Sequence, residues 1–147
     1  MHEFPLRLSW SGSTAADYSR NATASVDGKP DLAVSSGPTY GGDPSRWNPE
    51  DLLGASLATC HFLTFLALAR KFRLDVRAYD DHSTVVLDTV DGVTKVTQIR
   101  LAPTIRVAEG SDEAKVRDAF QKAHKYCFIG NSISAKIVME PTVVIGD

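Results

Sequence analysis

The chain predicts an α+β fold, with antiparallel sheet packed around a long buried helix and a second helix. Three observations carry this. Residues 48–72 form one unbroken, largely apolar stretch that starts "NPEDLLGASLATCHFL". Runs with the two-residue rhythm of strands flank it on both sides. "SDEAKVRDAFQKAHKYC" has the polar opening and spaced apolar residues of an amphipathic helix.

The elements follow in order. "FPLRLSW" alternates apolar and polar residues as a half-buried strand does, and "NATASVDGKPDLAVSS" holds two short β-leaning runs around the turn pair Asp27-Gly28. "SSGPTYGGDPSRW" is rich in Gly, Pro, Ser and Asp and reads as a surface loop. Asn48 suits an N-cap, Pro49 the first helical position, and Glu50 and Asp51 the positive end of the helix dipole. Leu52, Leu53, Leu57, Cys60, Leu63, Thr64 and Ala67 trace one stripe of this helix, and Phe62, Phe65, Leu66 and Ala69 fill much of another. A helix apolar over so much of its circumference is covered on several sides. "DVRAYDDHSTVVLDTV" and "VTKVTQIRLAPTIRV" read as two long strands joined by an Asp91-Gly92 hairpin. Ser111 caps the second helix, whose buried face runs through Val116, Phe120 and His124, and "SAKIVMEPTVVIGD" closes the chain as a strand. We expect one domain over 1–147: strands and loop over 1–47, the central helix over 48–72, and strands, second helix and closing strand over 75–147.

Composition removes several function classes. The 147 residues are 43% apolar and 23% charged, with a net charge of −2, so there is no basic footprint for nucleic acid. "MHEFPLRLSW" has no basic region followed by an apolar run, so no secretory signal is expected and the protein is expected in the cytoplasm. The central helix is flanked by charges and holds Gly54, Ser56, Thr59, His61 and Thr64, which favours a core helix over a membrane span. The four histidines and two cysteines lack ligand spacing, so no metal is expected.

Two cysteines, Cys60 and Cys127, stand 67 residues apart. Cysteine is often inert core, and apolar burial raises a thiol's pKa. A reactive Cys60 needs a cation beside it, and none lies one helical turn away; adjacent His61 points about 100° aside. Arg20 and Arg46 sit in loops that could supply a guanidinium, and Glu50 could orient it bidentately. On these residues alone Cys60 reads either as core or as a reactive thiol.

"NPEDLLGASLATCHFLTFLALA", together with the second cysteine in "AHKYCFIGNSI", resembles the OsmC/Ohr family, osmotically inducible protein C and organic hydroperoxide resistance protein. Glu50 and Cys60 keep the family's ten-residue spacing, and Cys127-Phe128-Ile129 followed by Ile133 approximates its second-cysteine segment. The resemblance implies a thiol-dependent peroxidase acting on hydroperoxides, organic ones especially. It implies that Cys60 attacks the peroxide and becomes a sulfenic acid, and that Cys127 condenses with it to a disulfide reduced by a cellular dithiol. It also implies an arginine paired to Glu50; Arg20 is favoured, with Arg46 as the alternative. It implies no cofactor beyond the external dithiol, and an intertwined homodimer with active sites at the subunit interface. His61 after Cys60, and no proline after Cys127, mark a departure toward an OsmC-like branch. An alternative is a binding or redox-sensing stress protein of the same fold with little turnover. Trp10, Tyr40, Trp47, Phe62 and Phe65 are candidate walls of an apolar pocket, each also readable as ordinary core.

Overall fold

The computed structural model describes residues 1–146. The chain falls into two compact units, Met1–Leu52 and Leu53–Asp147, the division lying inside the long helix.

In the first unit, β1 (Arg7–Ser9), β2 (Ala22–Ser25) and β3 (Leu32–Val34) form an antiparallel sheet in that order. Gly28, at φ 80, makes the β2–β3 turn. A one-turn 3-10 helix, Pro38–Tyr40, interrupts the polar loop. Val34 and Trp47 then form an isolated bridge that ties the loop to the sheet just before the long helix begins.

That helix, α1, spans Pro49–Lys71. Its start is a reciprocal box: the Asp51 N–H donates to Asn48 Oδ1 at 2.8 Å, and the Asn48 N–H donates to Asp51 Oδ2 at 3.0 Å. Glu50 and Asp51 at the first turn and Arg70 and Lys71 at the last complement the dipole. By length and composition α1 could cross a membrane. In this fold Gly54, Leu57, His61, Phe65 and Ala69 make its one buried stripe instead. This face is rotated from the expected stripe through Cys60 and Leu63; Leu63 is exposed. One chain therefore covers a single side of the helix, not several.

The second unit holds two three-stranded sheets. β4 (Val76–Asp81), β7 (Pro103–Val107) and β9 (Thr142–Ile145) form one, in the order β4-β7-β9. β5 (Thr84–Val90), β6 (Val93–Leu101) and β8 (Lys136–Met139) form the other, in the order β5-β6-β8. Each long run expected as one strand is thus broken into two, at residues 82–83, at Ala102 and at residues 140–141. At the second break the Ala102 N–H, lost to the ladder, donates to Asp81 Oδ1 at 2.9 Å. The β5–β6 turn is the expected hairpin, with Asp91 at φ 52 and Gly92 at φ 77, as a type I′ turn requires.

The sheets are mixed. β8 pairs parallel to β6 and β9 parallel to β7, because a helical crossover returns the chain in the direction it left. That crossover is α2 (Glu113–Tyr126). Asp112, not Ser111, is its N-cap, its carboxylate accepting the Ala114 and Lys115 N–H groups; Ser111 turns its hydroxyl back to the Ala108 carbonyl at 2.6 Å. Val116, Ala119, Phe120 and Ala123 are its buried face, and His124 points to solvent.

Two apolar clusters lie along α1. Phe65 and Ala69 pack with Ile105 and Val107 of β7 and with the buried face of α2. Nearer the start of α1, Leu57 packs with Ile99 and Leu101 of β6 and with Cys127. Gly54 allows this close approach: a Cβ there would lie 2.7 Å from Val85 Cγ2. Phe65 is fully buried core rather than a pocket wall, whereas Trp10, Tyr40 and Trp47 stand exposed.

Candidate functional site

Cys60 occupies the middle of α1, half-buried on the flank of the Leu57 cluster, and its thiol is free. Cys127 is fully buried in the same cluster and is also a free thiol. It is the C-cap residue of α2, in extended conformation, so the chain leaves the helix at the point where the sulfur enters the core. The fold thus brings two cysteines 67 residues apart into one apolar environment.

The Cys127 thiol is pushed above its ordinary pKa. Burial is the main cause; the Cys60 thiol adds to it, through a hydrogen bond and through charge repulsion if both ionise, while the Gly130 and Ile129 backbone N–H groups act the other way. The Gly130 N–H donates to Cys127 Sγ at 3.3 Å.

His61, next to Cys60, belongs to the core. Its Nε2 lies 3.1 Å from the Phe120 carbonyl, which can only accept, so Nε2 carries the proton. Nδ1 is buried without a partner. The imidazole pKa falls to about 4, chiefly through burial, which the Phe120 bond partly offsets and the His124 charge reinforces. The ring is therefore neutral at physiological pH and turned away from proton exchange with solvent.

The remaining candidates lie in the first unit. Arg20 is half-buried, its guanidinium 4.9 Å from the centre of the Tyr18 ring and its Nη1 3.4 Å from the Tyr18 carbonyl. A Cβ on Gly41 would meet that guanidinium at 3.1 Å. Arg46 is committed elsewhere: its Nη1 donates to the Ala22 carbonyl at 3.0 Å and its Nε lies 3.7 Å from Asp43 Oδ2. Glu50 is half-buried in the first turn of α1. Among the described residues neither arginine is ion-paired with Glu50. Nor does any group of three or more His, Cys, Asp or Glu among them have the arrangement to hold a metal.

The comparisons agree with this architecture. Residues 42–142 match the family model described as OsmC-like protein. The uncharacterized protein YmaD of Bacillus subtilis is 23% identical, over 99% of this chain and 97% of its own length. The solved structure of VCA0330 from Vibrio cholerae, an OsmC-like protein of unknown function, superposes with a TM-score of 0.86 at 29% identity, covering 96% of this chain and 99% of that one. An organic hydroperoxide resistance protein from Elizabethkingia anophelis superposes at 0.74 with 18% identity, covering 97% and 96% of the two chains. The organic hydroperoxide resistance protein OhrB of Bacillus subtilis superposes at 0.64, also with 18% identity, covering 96% and 98%.

Proposed function

This chain belongs to the OsmC-like protein family, and from that premise we propose that it is a cysteine-based peroxidase that reduces organic hydroperoxides to alcohols. The observation that carries the reading is the meeting of Cys60 and Cys127 in one apolar cluster. An apolar surrounding suits a substrate with an alkyl or aryl tail, and two adjacent thiols suit a reaction that ends in a disulfide.

The Cys60 thiolate attacks the terminal oxygen of the hydroperoxide; the O–O bond breaks, and the departing alkoxide takes a proton to become the alcohol. Cys60 is left as a sulfenic acid. Cys127 attacks that sulfur, the S–S bond forms, the S–O bond breaks, and hydroxide leaves as water once protonated. An external dithiol then reduces the disulfide by exchange, and no resident cofactor takes part. Such a cycle belongs in a reducing compartment, and we assign the protein to the cytoplasm.

Arg20 is the guanidinium we assign to the Cys60 thiolate, because Arg46 already serves Asp43 and the Ala22 carbonyl. Glu50 would orient it. Ten helical residues place Glu50 and Cys60 about 15 Å apart along α1, so one helix does not bring its own acid to its own sulfur. A homodimer in which a second copy supplies the Arg20–Glu50 pair removes that difficulty. The exposed Leu6, Leu8, Leu63 and Phe128 supply apolar surface for such a partner.

The test is consumption of cumene hydroperoxide with a dithiol as reductant. Turnover that disappears in Cys60→Ser is expected; full activity in that variant removes the proposal. The competing reading, a redox sensor of the same fold, predicts slow turnover with oxidation-dependent association.

A further inference from the structure

The turn after α2 is built around the Cys127 sulfur. Three residues beyond the cysteine, the Gly130 N–H points back to Sγ at 3.3 Å. Four bonds hold the turn in that shape. The Asn131 N–H donates to the Cys127 carbonyl at 3.0 Å, the Ser132 N–H to the Ile129 carbonyl at 2.9 Å, the Ser132 hydroxyl to the Phe128 carbonyl at 2.8 Å, and Asn131 Nδ2 to the Lys125 carbonyl at 3.0 Å. A side chain at position 130 would make only ordinary contacts, so what the turn brings to the sulfur is the amide itself. A Cβ there would touch Cys127 Cβ and Sγ, both at 3.4 Å, and Ile137 Cδ1 at 3.6 Å.

We propose that the Gly130 backbone amide is a positioning group for the second sulfur, orienting it and stabilising its thiolate at the moment it attacks the Cys60 sulfenic acid. The inference rests on the peroxidase reading and deepens it. The Cys127 sulfur is buried among Leu57, Ile99 and Leu101, apolar side chains that give a negative charge no support. A sulfur in such a place is a slow nucleophile, since the thiolate is the attacking species. An N–H fixed by its own turn costs no reorganisation when charge develops, as with the donors of an oxyanion hole. It strengthens as the thiolate forms and relaxes as the sulfur enters the disulfide. The opposing effects on the thiol, raised by burial and lowered by this N–H, are those of a group kept protonated at rest and ionised on demand.

The experiment removes the N–H and otherwise only weakens the Ile129 carbonyl as an acceptor of the Ser132 N–H. Ligating a 1–126 thioester to a synthetic 127–147 peptide, through Cys127 itself, allows glycolate in place of Gly130, which converts that amide to an ester. An ester at position 131 removes a bond of the same turn that does not reach the sulfur. In a Cys60→Ser background, thiolate absorbance titrates Cys127 without peroxide. We expect the 130 ester to raise the titration midpoint by about one unit and the 131 ester to leave it in place. With Cys60 present, the 130 ester should slow disulfide closure about tenfold while sulfenic acid forms at the normal rate. An unmoved midpoint in the 130 ester, equal shifts in both esters, or a 130 ester that fails to fold each overturns the proposal. If the unmodified protein forms no Cys60–Cys127 disulfide with cumene hydroperoxide, the peroxidase reading fails, and the Cys127 titration still reports on the amide alone.

Discussion

Cys60 on the flank of α1 and Cys127 at the end of α2 share one apolar cluster, the first half-buried and the second completely so. In the proposed cycle this asymmetry divides the labour. The accessible sulfur can meet a substrate, and the enclosed one can meet only its neighbour. Cys127→Ser should therefore leave the first reduction of hydroperoxide intact but stop turnover with a dithiol. Mass spectrometry with a sulfenic-acid trap would find the adduct on Cys60 in that variant, and an unmodified Cys60 would count against the order of steps.

Closure of the disulfide should depend on pH. The Cys127 pKa is raised, so its thiolate is scarce at neutral pH and becomes abundant only above the ordinary thiol range. Stopped-flow measurement after a single peroxide pulse should show closure accelerating as pH rises through that range. A pH-independent closure would mean that Cys127 does not attack as a thiolate. The same raised pKa favours the fold below the unfolded thiol's pKa, and that contribution is lost as pH rises through the folded one.

His61 should make the protein acid-sensitive. The unfolded chain protonates its imidazole near pH 6.5, whereas the folded chain resists until about pH 4. Stability is thus unaffected above the first value and falls between the two, by about 3 kcal/mol in all. Urea unfolding of the wild type and of His61→Leu at pH 7 and pH 4.5 would read this; the variant should lose less stability on acidification. His124, the exposed neighbour, should change the profile only slightly when replaced by Gln.

Phe120 joins α2 to α1, its ring 4.4 Å from His61 and 5.9 Å from Phe65, centre to centre. Phe120→Ala should cost about 3–5 kcal/mol. Its effect on Cys60 reactivity at temperatures where the chain stays folded should be small, since the cysteine cluster lies nearer the start of α1. Thermal unfolding beside thiol-alkylation kinetics separates the two effects.

The two arginines should behave differently. Arg20→Met is expected to slow the reaction of Cys60 with hydroperoxide by tenfold or more, an order of magnitude typical of losing a cation beside a thiolate. Arg46→Met should instead loosen the loop it ties to β2 and lower the melting temperature with less effect on that rate. The reverse pattern would transfer the role to Arg46.

Much of this was legible before any tertiary structure. Asn48, Pro49, Glu50 and Asp51 start α1 through contacts only three residues apart, and Asp91-Gly92 turns the hairpin through its own dihedral angles. Local chemistry of this kind is written in consecutive residues. The α+β class follows from such signals taken together, and the OsmC-like family from the resemblance of the Asn48–Ala69 helix and the Cys127 segment. What stayed hidden depends on groups distant in sequence. An apolar helix offers several faces of similar hydrophobicity, and packing against β6, β7 and α2 chose the one through Leu57, His61 and Phe65. Parallel pairing of β8 and β9 follows from the path of α2 across the sheets. The enclosure of Cys127 and its bond from Gly130 likewise arise where α2 ends against the β6 cluster. The sequence by itself determined where the two long helices and the Asp91-Gly92 hairpin form and which two sulfurs are available. Only the tertiary structure decided which of them is enclosed and which stays half-exposed, because burial is a property of neighbours brought together by the whole chain.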